Sequence, residues 1–221
     1  MKEFSLTKLQ KIILSTMAES ELKDDFYWTG GTALAYFYLQ HRRSLDIDLF
    51  SEKPFSYETI TPIVKTISQK TKLKKIQEKR IFDRWEFFLS DGEEIRLEFV
   101  HYDFPTLNQK REWQGIWVDS ATDMAANKTM ALIDRHDPKD AFDIYFLLTK
   151  LKYSPQKLLK LARQKFGGDF PPSLFWSNCL TGANQLQTIQ PLMLEQNPQK
   201  LVRKIAAYFE KQAAESLRSI L

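Results

Sequence analysis

The chain has 221 residues, 43% of them hydrophobic and 27% charged, which suits one large domain or two small ones with a core of their own. Its single cysteine, Cys179, excludes an intramolecular disulfide and points to the reducing cytoplasm. Neither a signal-peptide core nor an apolar run of membrane-spanning length is present, so no membrane partner is expected. A formal charge of +4 permits a nucleotide or a polyanion as partner, and equally suits a solvated lysine-rich surface.

Leu6, Leu9, Ile12, Ile13 and Met17 recur at helical spacing and predict a helix within 5–22. Residues 26–29 read as a short strand leading into Gly30-Gly31. Residues 32–40 are too apolar for a surface helix and read as a buried one. Leu45 to Phe50 is a strand, and Ser56 opens a helix to about residue 70. Three strand-like runs follow at 72–80, 82–90 and 94–102, with Asp91-Gly92 a hairpin turn between the last two. Ser120 caps a helix to about Ile133, and Asp137-Pro138 starts another to about Lys150. Ser154-Pro155 starts a third, Gly167-Gly168 and Pro171-Pro172 break the pattern, and helices are expected at 184–194 and 198–217. The fold class is therefore α+β: a mixed sheet with flanking helices over 1–119, followed by a helical half over 120–221.

Chemistry concentrates in Thr29-Gly30-Gly31-Thr32 and Ser44-Leu45-Asp46-Ile47-Asp48. Two glycines before a helix allow a ligand to approach the backbone. The helix start offers N–H groups to phosphate, and Thr32 adds a hydroxyl. By themselves two adjacent glycines more often mark just a tight turn. In a strand, residues two apart face the same way, so Asp46 and Asp48 project together while Leu45, Ile47 and Leu49 face the core. Such a pair is tolerable with a divalent cation between, and oxygen ligands suit Mg²⁺, with Mn²⁺ as second choice. An exposed edge strand is the plainer reading. Glu98 lies on the polar face of the 94–102 strand as a third carboxylate, with Glu94 its competitor, and three carboxylates suffice for two metals. A cross-strand salt bridge would also explain Glu98.

Lys128 shares a helical stripe with Met124, Ala131 and Leu132 and either snorkels to solvent or neutralises a triphosphate. Asp140, at the third position of its helix, suits the helix dipole. Asp143, beside Phe142, Ile144 and Phe146, is harder to explain structurally and could order Lys128 or Arg135, or act as a base. Arg42 and Arg43 either hold a phosphate or belong to a solvated loop. His41, His101 and His136 lack metal-ligand spacing, and Cys179 has no motif around it.

Together, TGGTALAYFYLQHRRSLDIDLF (29–50), RLEFVHYDF (96–104) and NKTMALIDRHDPKDAFDIYFLL (127–148) resemble the AbiEii/AbiGii toxin family, within the DNA polymerase β-like nucleotidyltransferase superfamily. The resemblance maps the family's glycine loop onto Gly30, Gly31 and Thr32, where many superfamily members have serine. Its metal pair falls on Asp46 and Asp48, its downstream lysine on Lys128, and its basic-Asp-x-x-Asp helix on Lys139, Asp140 and Asp143. It implies a Mg²⁺-dependent enzyme that transfers NMP from an NTP, the nucleotide lying between the two halves with its triphosphate at Gly30-Gly31-Thr32 and Lys128. It further implies an RNA or tRNA acceptor and a cognate antitoxin within a bacterial toxin–antitoxin, or abortive infection, system. The alternatives are transfer to a small molecule of the antibiotic kind, and a non-catalytic nucleic-acid- or protein-binding module on the same scaffold.

Overall fold

The structure is a computed structural model that describes residues 3–72, 75–90 and 94–218. It is a mixed α+β protein whose described residues fall into two compact units, one holding a seven-stranded sheet and the other helical. One unit comprises Ser5–Tyr36 and Ser44–Ser120. The other comprises Met1–Phe4, Phe37–Arg43 and Ala121–Leu221, so two short stretches from the N-terminal half of the chain belong with the helices.

The first unit holds the sheet, in the order β3-β4-β5-β2-β1-β7-β6. Its strands are β1 (Tyr27–Thr29), β2 (Ile47–Ser51), β3 (Lys75–Ile81), β4 (Arg84–Ser90), β5 (Glu94–His101), β6 (Arg111–Trp113) and β7 (Ile116–Val118). β2 runs parallel to β5 and antiparallel to β1. Strand alternation gives the sheet two different faces. Trp28, Ile47, Leu49, Phe87, Leu89, Leu97, Phe99 and Val118 are buried on one. That apolar core also takes in Ile13 and Met17 of α1 (Lys8–Ala18) and Ile60, Val64 and Ile67 of α3 (Tyr57–Thr71). The opposite face carries Asp48, Glu86, Arg96 and Glu98. The α1 helix starts in a capping box, with Thr7 and Gln10 each accepting from the other's backbone N–H, which satisfies two amides that a helix start otherwise leaves unpaired.

The expected buried helix over 32–40 is two pieces: α2 (Gly30–Leu34) and a π-helical turn, Ala35–Leu39, ended by Gln40 at φ +47°. The strand expected from Leu45 begins at Ile47, and Leu45 is exposed rather than facing the core. The short β6 and β7 were not anticipated, because three residues carry too little alternation to register as strands. Part of the 72–80 run and the whole Asp91-Gly92 turn lie outside the described residues.

The second unit is helical: α4 (Ala121–Asp134), α5 (Pro138–Thr149), α6 (Pro155–Phe166), α7 (Pro172–Ala183) and α8 (Pro198–Arg218), with a 3₁₀ segment at Leu186–Leu192 where an α-helix was expected. Pro171-Pro172, read as a break, instead starts α7: proline at the first helical position has no N–H to lose. α5 and α7 approach closely at Gly182, where a side chain would lie 2.4 Å from the Ala141 Cβ. Among the described residues, no helix is long and apolar enough to cross a membrane.

Candidate active site

In the sheet unit, Gly30 and Asp48 form one feature. Thr29 and Asp48 are register partners on β1 and β2, so the chain turns into α2 directly over the Asp48 carboxylate. Gly30 has φ +78°, and a Cβ there would stand 1.7 Å from Asp48 Oδ2. Only glycine serves at this position, for its conformation and for its bareness. Thr29 gives α2 no side-chain cap; its hydroxyl donates to Asp119 Oδ2 at 2.9 Å. Gly31 follows in the first turn of α2.

The segment before β2 has no ladder of its own, and its carbonyls are satisfied from elsewhere. Gln10 Nε2 donates to the Ser44 and Leu45 carbonyls at 3.0 and 2.9 Å, and Thr32 Oγ1 donates to the Asp46 carbonyl. Thr32 is fully buried, and its hydroxyl holds Asp46 in place. The one sign of Gln10 in the sequence is that it is a polar residue on the apolar stripe of α1, where it is fully buried.

Glu98 is the register partner of Asp48 across the parallel β2–β5 pair, and of Glu86 across the antiparallel β4–β5 pair. Glu94, the competing carboxylate, is exposed and pairs with Ser90 instead. Burial first, and then the Asp48 charge, push the Glu98 carboxyl up to about 7. Arg96 bridges the group: Nη2 donates to Asp46 Oδ2 at 3.0 Å, and Nη1 lies 2.7 Å from Glu98 Oε1 and 3.7 Å from Glu86 Oε1. Arg84 adds contacts of 3.2 Å to Glu86 and 3.9 Å to Glu98. The approach of Arg96 to Glu98 is an ion pair without hydrogen-bond direction, so the buried Oε1 has no hydrogen-bond partner among the described residues.

Among the described residues no three carboxylate, imidazole or thiol groups already converge as a metal cage. The donors nevertheless fit a hard divalent cation: they are all oxygens, they repel one another, and one buried oxygen lacks a donor. Arg96 and Arg84 supply the positive charge that the structure gives them.

The helical unit holds a second cluster, built on the i, i+3 pair Asp140 and Asp143 of α5. Arg42 clamps Asp143 through two bonds, Nε to Oδ1 at 2.6 Å and Nη2 to Oδ2 at 2.8 Å, and is itself almost wholly buried. Lys128 of α4 places Nζ 2.8 Å from Asp140 Oδ1 and 3.0 Å from Asp143 Oδ2. Arg135 Nε donates to Asp140 Oδ2 at 2.7 Å. Lys139 Nζ stands 3.3 Å from Asp137 Oδ2. Arg43 is exposed.

Although burial opposes it, the charges of Arg42 and Lys128 hold Asp143 well below the usual carboxylate range. The Lys128 ammonium is likewise held up by Asp140 and Asp143 against its burial. His41 Nε2 is 2.6 Å from Asp143 Oδ1, and burial pushes the imidazole down to about 4, so it is neutral at pH 7. With Asp143 ionised, Nε2 carries the proton and donates, which leaves Nδ1 a bare acceptor without a partner among the described residues. His41 showed no metal-ligand spacing; its partner lies 102 residues away.

The model of the family described as nucleotidyl transferase AbiEii toxin, type IV toxin–antitoxin system, matches residues 12–219. An uncharacterised protein of Aquifex aeolicus (strain VF5) is 33% identical over 165 residues, 73% of this chain and 76% of its own. The fold resembles the crystal structure of a candidate nucleotidyltransferase from H. pylori, with a TM-score of 0.59 at 17% identity over 94% of each chain. It also resembles MenT4, a nucleotidyltransferase toxin of Mycobacterium tuberculosis H37Rv, with a TM-score of 0.52 at 13% identity over 95% of this chain and 84% of that one. The chain belongs to the AbiEii family of nucleotidyltransferase toxins.

Proposed function

We propose that the protein transfers NMP from an NTP to an RNA acceptor, tRNA foremost, with Mg²⁺ held by Asp46, Asp48 and Glu98. The observation that carries this reading is the contact between Gly30 and Asp48, which makes glycine loop and carboxylate a single built element. A structural aspartate needs no such bareness opposite it. A bound Mg²⁺ supplies charge neutralisation where negative charge gathers during phosphoryl transfer. The chain's own contribution is positioning. Gln10 and Thr32 fix the segment that presents Asp46, the β2–β5 register sets Glu98 beside Asp48, and Gly30-Gly31 admit phosphate close to the backbone.

In the helical unit, three cations face two carboxylates in the Asp140–Asp143 cluster, and the surplus positive charge supports a phosphate-facing role for Lys128. Asp140 and Asp143 then position that lysine. Arg42 is fully engaged by Asp143 and acts through it. Family membership supports a further part of the proposal: the protein is the toxin of a cytoplasmic toxin–antitoxin pair, restrained by a cognate antitoxin.

The test is to incubate the purified protein with each α-labelled NTP and Mg²⁺, and with total tRNA or a panel of aminoglycosides. Label in tRNA is the expected result. Label in the aminoglycosides would replace RNA by a small-molecule acceptor, and none in either would leave a binding module.

A further inference from the structure

Arg96 lies on the same strand face as Glu98, two residues away. Its guanidinium reaches Asp46 through Nη2 at 3.0 Å, and stands 2.7 Å from Glu98 and 3.7 Å from Glu86 through Nη1. It thus links two of the three carboxylates assigned above to a metal. We infer that Arg96 is a displaceable counter-ion: it holds Asp46 and Glu98 while no divalent cation is bound, and must release them for the cation to enter. The inference rests on the metal reading of Asp46, Asp48 and Glu98.

Three features distinguish a placeholder from a permanent salt bridge. A permanent buried pair satisfies its lone pairs, whereas Glu98 Oε1 keeps no hydrogen-bond partner despite a nitrogen at 2.7 Å. The Arg96 side chain is about one-third exposed (33%), as is that of Asp46 (34%), so the guanidinium has solvent into which it can withdraw, while Glu98 stays buried. One guanidinium also spreads over three carboxylates and clamps none of them in the two-pronged way that Arg42 clamps Asp143. Its value lies in keeping the apo cluster together. Its consequence is that metal affinity is set by a competition within the protein.

The test is Mn²⁺ binding, read by the loss of the free-ion electron paramagnetic resonance signal, for wild type, Arg96→Gln, Arg96→Lys and Asp48→Asn, together with melting in EDTA. Removing the competitor should tighten Mn²⁺ binding about 10-fold in Arg96→Gln, the worth of a displaced charge-assisted contact. The same variant should melt lower than wild type in EDTA and gain more from Mn²⁺. Arg96→Lys keeps a charge without a second nitrogen to reach Asp46 and Glu98 together, and should fall between wild type and Arg96→Gln. It carries the test if the glutamine variant fails to fold. Unchanged or weaker Mn²⁺ binding in the variants, while wild type binds and Asp48→Asn does not, overturns the inference and leaves the metal reading intact. Mn²⁺ binding that survives Asp48→Asn, or is absent from wild type, overturns both.

Discussion

The two units each contain a buried polar cluster, and the two are balanced in opposite ways. In the sheet unit, Asp46, Asp48, Glu86 and Glu98 gather around Arg84 and Arg96, and one buried carboxylate oxygen still lacks a hydrogen-bond partner. In the helical unit, Asp140 and Asp143 are met by Arg42, Lys128 and Arg135, with each carboxylate held at 2.6–2.8 Å. The environment of each acid records the difference. Glu98 is pushed up to about 7, chiefly by burial and then by Asp48, whereas Asp143 is held well below its ordinary value. On the proposed function, the cluster short of positive charge is the one that takes a cation. A cluster with every carboxylate clamped is built to hold its own side chains still.

The comparison breaks most visibly at Asp48. Asp48→Asn should lower nucleotidyl transfer on the order of 100- to 1000-fold, the scale of losing a preorganised charge in the site, while the melting temperature stays level or rises as repulsion with Glu98 is relieved. A labelled-NTP assay beside calorimetry reads both.

Asp143→Ala should act through stability instead. It leaves Arg42 and Lys128 buried without that carboxylate and should cost about 3–5 kcal/mol in urea unfolding. Lys128→Met should cost less, because Arg135 and Arg42 still serve Asp140 and Asp143. It should still lose at least ~10-fold in transfer if the ammonium meets phosphate. An Asp143→Ala protein as stable as wild type would show that the helical cluster is not what holds these groups.

Gly30→Ala comes next. Its φ of +78° costs a side chain about 1–2 kcal/mol, and the added Cβ displaces the Asp48 carboxylate. Transfer should fall roughly 100-fold, as expected for an ångström-scale misplacement. Full activity would detach the glycine loop from the carboxylate.

The smallest effect is in pH dependence, and its sign separates the clusters. Glu98, raised from 4.5 to about 7, favours the folded state most below 4.5 and loses that contribution as pH rises through 7. His41, lowered from 6.5 to about 4, contributes above 6.5 and loses its share as pH falls through 4. Between 4.5 and 6.5 the two oppose. His41→Gln should therefore leave stability falling as pH rises, and Glu98→Gln should leave it rising, each by at most about 1.4 kcal/mol per pH unit in EDTA. Parallel slopes in the two variants would contradict these assignments.

How much of this was legible in the sequence depended on range. Gly30-Gly31 and Asp46-x-Asp48 are local patterns, and the geometry joins Gly30 to Asp48. An aspartate among Phe142, Ile144 and Phe146 was marked as needing a partner, and Lys128 is one of those that the structure supplies. The missing parts are contacts between distant residues. Arg96 meets Asp46 across 50 positions, Gln10 reaches Ser44 across 34, and His41 meets Asp143 across 102. No spacing rule brings such pairs together. The first follows from the β2–β5 pairing, the second from α1 lying against the segment before β2, and the third from residues 37–43 belonging to the helical unit. The short strands β6 and β7 and the proline-led α7 escaped for a local reason: three residues show no period, and proline reads as a break until it is seen as a helix's first residue.

The central claim, that the sheet cluster awaits a cation and the helical cluster does not, is tested most directly by Mn²⁺ titration of four proteins: wild type, Asp48→Asn, Glu98→Gln and Lys128→Met. The account predicts that wild type and Lys128→Met bind Mn²⁺ alike, and that Asp48→Asn and Glu98→Gln bind it at least about 10-fold more weakly. Equal binding by wild type, Asp48→Asn and Glu98→Gln, or a loss confined to Lys128→Met, would contradict it.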